Sequence, residues 1–138
     1  MISMLFSPLQ TNTGLYCQLH DAGHSTAEIL DARRAYRVCC KLFNGRYRKT
    51  ERAFICHAVG AASSVARFDR RIEVIVAAML HAAYDSGHFS DARLGFSDAH
   101  RKWLAAHVGI EVERLVGEFY QLNFEKGLPG SLVEGEIS

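Results

Sequence analysis

Proline is scarce in this 138-residue chain, with two in all, and no two of its four cysteines are spaced as C-x-x-C. With 49% hydrophobic and 22% charged residues, a chain so poor in breakers can bury one continuous core, which argues for one domain rather than two. Long apolar runs are missing as well. The longest is Val74 to Leu80, with alanines continuing past His81. That falls well short of the roughly 20 residues of a membrane helix, so no membrane span is expected. Met1 to Leu9 has no basic residue ahead of it and no small-residue cleavage site. It does not read as a signal peptide, and a cytoplasmic location is expected. Lacking zinc-like spacing, Cys17, Cys39, Cys40 and Cys56 are expected to be reduced thiols in or near the core. No segment alternates apolar and polar residues for long enough to make a strand.

Helical periodicity is what the chain has instead. Ser25-Thr26-Ala27-Glu28 has capping-box spacing and opens a helix through Ala32, Ala35, Cys39 and Phe43 to the stop signal Asn44-Gly45. A second helix, Phe54 to about Phe68, is rich in small residues suited to close packing. Asp69 can cap a third, from about Arg71 through Ile75 and Leu80 to Asp85, which is apolar on most faces and therefore central. Ser97 or Asp98 starts a fourth that ends at Gly109, and a fifth runs from about Ile110 to Phe124 with Val112, Leu115, Val116, Phe119 and Leu122 as its buried stripe. The expected fold is an all-α bundle of about five or six helices over residues 25–126. Residues 1–24 form an N-terminal extension and 127–138 a tail. Leu5, Phe6, Leu9 and Leu15 of the extension leave a homodimer open.

The net charge of +1 hides a local excess. Arg33, Arg34, Arg37, Lys41, Arg46, Arg48, Lys49 and Arg52 face one acid, Glu51, within twenty residues. A basic surface of this extent suits an anionic ligand better than duplex nucleic acid, for which the whole domain is usually basic. The excess leads directly into the helix that carries His57, and His81 follows 24 residues later. Facing histidines on neighbouring helices can begin a metal site, or each can be hydrogen-bonded within the core. Asp85, one turn after His81, can be a ligand, a base or part of a polar helix end. His88 lies just beyond. The guanidinium groups before His57 can grip phosphate, or can simply be solvated.

These features come together in a resemblance. The stretch Asn44-Gly45-Arg46-Tyr47-Arg48-Lys49-Thr50-Glu51-Arg52-Ala53-Phe54-Ile55-Cys56-His57 resembles the G-Q-x-R-K-S-G-E-P-Y-x-x-H-P segment of RelA/SpoT-type alarmone hydrolase domains, members of the HD superfamily of helical metal-dependent phosphohydrolases. The histidine-to-histidine interval is the same. Ala77-Ala78-Met79-Leu80-His81 is similar to A-A-L-L-H-D, and Val108-Gly109-Ile110-Glu111-Val112-Glu113-Arg114-Leu115-Val116-Gly117 to F-G-x-E-V-x-x-L-V-x-G. The resemblance implies an HD-domain-like bundle in which His57 and His81 match metal-ligand histidines that hold manganese. It also implies that Arg48, with Lys49 and Thr50 beside it, matches the arginine packed on a guanine base, and that Asp85 matches an acid that helps to activate water.

The departures shift the expected function. Ala82 stands where the family has the aspartate of its H-D pair, and Ser86 where it has the second catalytic acid. The aspartate of the last ligand segment is not expected within this chain. The reading is therefore a degenerate HD-fold protein that binds a nucleotide or other phosphorylated small molecule. Its pocket is lined by His57, His81 and the basic loop, either metal-free or with one divalent ion recruited through Asp85, His88 or Glu118. The alternative is a divergent metal-dependent phosphohydrolase acting on a phosphate ester or pyrophosphate. A third reading keeps only the fold, with Tyr84 and Phe89 filling the pocket.

Overall fold

The computed structural model describes residues 11–43, 54–87, 89 and 95–125, with side chains up to residue 122. The described residues form an all-α bundle without a strand: α1 (Asn12–Asp21), α2 (Thr26–Phe43), α3 (Phe54–Ala66), α4 (Ile72–Met79), the single turn α5 (Ala83–Ser86), α6 (Asp98–Val108) and α7 (Ile110–Glu125). None of these helices is long and apolar enough to cross a membrane. The expected start of α2 and both ends of α6 hold, while the expected stop Asn44-Gly45 lies outside the described residues. Ser25 Oγ accepts the Glu28 N–H while Glu28 Oε1 accepts the Ser25 N–H, a complete capping box. Ser97 Oγ accepts the His100 N–H, and Gly109 closes α6 with its own N–H on Ala105 O.

Being apolar on most faces, α4 lies at the centre and packs against α2, α3 and α7. Its Ile75, Val76 and Met79 join Val38, Leu42 and Phe43 of α2, Val59 and Ala62 of α3 and Val112 and Val116 of α7 in one buried cluster. The Cys39 thiol of α2 donates to Met79 O at 3.6 Å. Burial pushes this thiol far above its ordinary range, so it stays protonated. All four cysteines are free thiols, but Cys17 is exposed and not in the core.

Several boundaries differ from the sequence expectation. The helix expected to run unbroken to Asp85 stops at Met79 and restarts at Ala83. The reason is competition for one carbonyl. Ala78 O accepts the His81 ring Nδ1–H at 2.7 Å and the His81 N–H at 3.4 Å, so the chain tightens into 3₁₀-like bonds, with the Ala83 N–H on Leu80 O. Asp69 does not cap α4. It takes the backbone N–H and the guanidinium of Arg71, the residue that is the N-cap, and those bonds draw its carboxyl down to about 2. Leu122 is half exposed and outside the buried stripe of α7.

The largest difference is α1. Thr11 Oγ1 caps it through the Gly14 N–H, and Leu15 and Leu19, one turn apart, are fully buried against the bundle. Gln18 and Ser63 exchange two hydrogen bonds, Gln18 Nε2 to Ser63 O at 3.0 Å and Ser63 Oγ to Gln18 Oε1 at 2.7 Å, which pin α1 to α3. Leu15 is therefore a core residue and unavailable for dimerisation. Leu5, Phe6, Leu9 and the tail 127–138 lie outside the described residues.

Gly87 ends α5 in a tight place. A Cβ there would come within 2.6 Å of Ala83 O and 3.2 Å of Leu42 Cβ. Gly87→Ala therefore forces backbone to move and is expected to cost about 1–3 kcal/mol, read as a lower urea midpoint at unchanged m-value. A midpoint equal to that of the parent chain would show that this close approach does not exist in solution.

Candidate functional site

The two histidines singled out from sequence do meet. His57 lies in the first turn of α3, and His81 lies in the tight turn between α4 and α5 rather than in the helix expected for it. Both are buried, at 7% and 9% exposure, and their ring centroids are 5.3 Å apart in an edge-to-face arrangement. Phe119 of α7 meets the other side of His81, with centroids 5.6 Å apart and planes at 84°. Because a carbonyl can only accept, the bond to Ala78 O places the proton of a neutral His81 ring on Nδ1. Nε2 is then the nitrogen that carries the lone pair. The break after Met79 thus also sets the tautomer of His81.

The other predicted residues are placed less directly. Arg48, Lys49 and Thr50 lie outside the described residues, as does His88. Asp85 is half-buried on α5, with Ser86 Oγ donating to its Oδ2 at 3.1 Å. Among the described residues no group of three or more His, Cys, Asp or Glu is arranged to hold a metal. Glu118 is not a recruit, because it faces solvent and accepts from Arg114 at 2.6 Å. A divalent ion requires three or four N, O or S donors. Among the described residues, His57 and His81 supply two such donors, beside the hydrocarbon of Phe119.

His81 also lines a cavity of about 390 Å³. Its floor is a row of α4, Val74, Ala77 and Ala78, and its other lining residues, Ser64 and Phe119 among them, come from α3 and α7. The walls are almost entirely carbon. Basic charge is exposed on α2, where Arg33, Arg37 and Lys41 recur every four residues. A second cavity of about 250 Å³ sets Arg34 among Asp31, Glu73 and Glu111, a balance that does not favour an anion.

One cluster was not anticipated. Tyr84 and Phe89, expected as pocket fillers, belong to an aromatic group, stacked on each other at 5.9 Å, with Phe96 edge-on to Tyr84 at 5.0 Å. The Tyr84 hydroxyl donates to Glu113 Oε2 at 2.7 Å, and Arg101 grips the same carboxylate through Nε at 2.8 Å and Nη2 at 3.2 Å. Burial first, then Glu113, holds the Tyr84 phenol far above its ordinary range. The sequence held one clue, a glycine one turn after an acid within an apolar stripe. A Cβ on Gly117 would come within 3.3 Å of both Arg101 Nη2 and Glu113 Oε2, so the glycine makes room for the ion pair.

No curated protein and no solved structure matches this chain. Residues 40–123, more than half of the chain and including α3 to α6, both histidines and the Tyr84–Glu113–Arg101 cluster, match the model of a family described as a domain of unknown function, DUF6817, and the chain belongs to that family.

Proposed function

We propose that this chain is a degenerate, HD-like binding module for a nucleotide or other phosphorylated small molecule, acting without a resident metal. The observation that carries the proposal is the meeting of His57 and His81 at 5.3 Å, immediately after the basic segment that runs from Arg46 to Arg52. The convergence of two histidines 24 residues apart supports a reading built on the resemblance to RelA/SpoT-type hydrolase domains. The methyl side chain of Ala82 has no oxygen to contribute beside them. In this reading Arg48 and Lys49 grip the phosphate through charge-assisted hydrogen bonds, Thr50 adds a hydroxyl, and the histidine pair forms the inner wall. Asp85 remains a candidate for orienting water or ligand from the end of α5.

The test is a thermal-shift panel of guanine and adenine nucleotides and sugar phosphates with the full chain. A ligand at 100 times its Kd contributes about 2.7 kcal/mol to the native state, which for a chain of this size is a rise of roughly 5–10 °C in Tm. The expected result is such a rise with at least one phosphorylated compound, lost in Arg48→Ala. No shift across the panel, or a shift unchanged in Arg48→Ala and Lys49→Ala, removes the reading. Release of inorganic phosphate on adding manganese, abolished in His57→Ala, would replace it with the divergent phosphohydrolase.

A further inference from the structure

The groove over α4 points to a second kind of ligand, on grounds independent of the phosphate reading. Three helical rows build it. Val74, Ala77 and Ala78 of α4, with His81 in the turn just beyond it, form the floor, and α3 and α7 rise on either side because α4 packs between them. Alanines on the floor keep the groove deep, while Leu115 and Phe119 give it a tall apolar wall. The volume is about 390 Å³, more than twice the roughly 150 Å³ of an apolar cavity that accepts benzene. It falls within the 300–1,000 Å³ typical of small-molecule sites.

We propose that this groove binds a neutral, apolar small molecule of about two to three aromatic rings, seated on Ala77 and Ala78 between α3 and Phe119. The carbon lining makes burial of a charged group costly and burial of a ring favourable. The edge-to-face pair of His81 and Phe119 already presents aromatic surface at one end. A protein partner fits the groove less well. The neighbouring surface of α7 carries Glu111, Arg114 and Glu118, locked to one another in ion pairs. Leu30, Phe68, Ile110 and Leu122, the exposed large apolar residues described, are dispersed over α2, the α3–α4 turn and opposite ends of α7. Among the described residues they do not form the broad continuous patch that a stable protein interface buries.

The experiment is a fluorescence titration of the full chain with N-phenyl-1-naphthylamine, a neutral fluorophore that brightens when it leaves water. Binding is expected to saturate at one molecule per chain and to weaken at least tenfold in Ala78→Leu and in Ser64→Leu, each of which puts an isobutyl group into the groove. Leu30→Ser, at an exposed residue outside the groove's lining, is expected to bind the probe as the parent chain does. Amide shifts on the parent chain should concentrate at Ala61, Ala78, His81, Leu115 and Phe119, a readout that requires no variant to fold. Non-saturable binding, shifts scattered over the surface, or equal affinity in folded Ala78→Leu and Ser64→Leu would each overturn the proposal. So would a dimer in solution that Ala78→Glu dissociates, which would assign the groove to a second copy.

Discussion

Glu113→Ala is expected to destabilise the bundle by about 3–5 kcal/mol, the largest effect of any single substitution of a charged residue considered for this chain. Glu113 is 7% exposed and satisfies two partners at once, the Tyr84 hydroxyl and the Arg101 guanidinium. Removing it strands a buried phenol and takes from Arg101, 4.9 Å from the Phe96 ring, the carboxylate that it grips. For a chain of this size the loss corresponds to roughly 10–20 °C in Tm. Two weaker variants calibrate it. Tyr84→Phe removes one hydrogen bond to a charged acceptor, about 1.5–3 kcal/mol. Arg101→Ala is expected to cost less than Glu113→Ala, because the arginine side chain is 37% exposed and water can partly replace it. The network ties α5, α6 and α7 together, so urea unfolding and a double-mutant cycle between Tyr84 and Arg101 should show coupling. A Glu113→Ala midpoint within 1 kcal/mol of the parent chain would mean that this ion pair is not buried in solution.

Leu19→Ala is expected to cost about 2–5 kcal/mol, the range for a leucine removed from a packed core. Leu15→Ala should cost a similar amount, since both side chains are fully buried. Gln18→Ala is expected to be milder, although it leaves the fully buried Ser63 hydroxyl without the acceptor that now takes its proton. These variants ask whether α1 belongs to the bundle. Urea unfolding followed by circular dichroism decides it. If Leu19→Ala unfolds at the same midpoint as the parent chain, α1 is an appendage and the domain begins at α2.

The sequence signals that held were those resting on short-range chemistry. Ser25 and Glu28 are three residues apart in the chain, so their reciprocal bonds form wherever that helix starts. Likewise α4 was central because seven apolar residues in a row, Val74 to Leu80, put carbon on most of its faces. What escaped the reading depended on partners distant in the chain. The α1 segment carries only Leu15 and Leu19 as its buried pair, too sparse a period to stand out, and its burial needs Ser63 and the rest of α3. The end of α4 turned on an imidazole competing for a carbonyl, which no hydrophobic pattern encodes.

The candidate site divides in the same way. Residue types, the spacing of His57 and His81, the substitution of alanine at position 82 and the basic run before α3 are properties of the linear chain, and they are enough to expect an all-α bundle with a histidine pair. Folding decided that the two rings lie 5.3 Å apart, that His81 sits in a turn with its proton on Nδ1, and that Glu118 faces solvent. It also decided that the space beside His81 is lined by carbon. The physical reason is that helix periodicity reports which face of a segment turns inward, whereas the packing of α3 and α7 across α4 determines which inward faces meet and how much room remains between them.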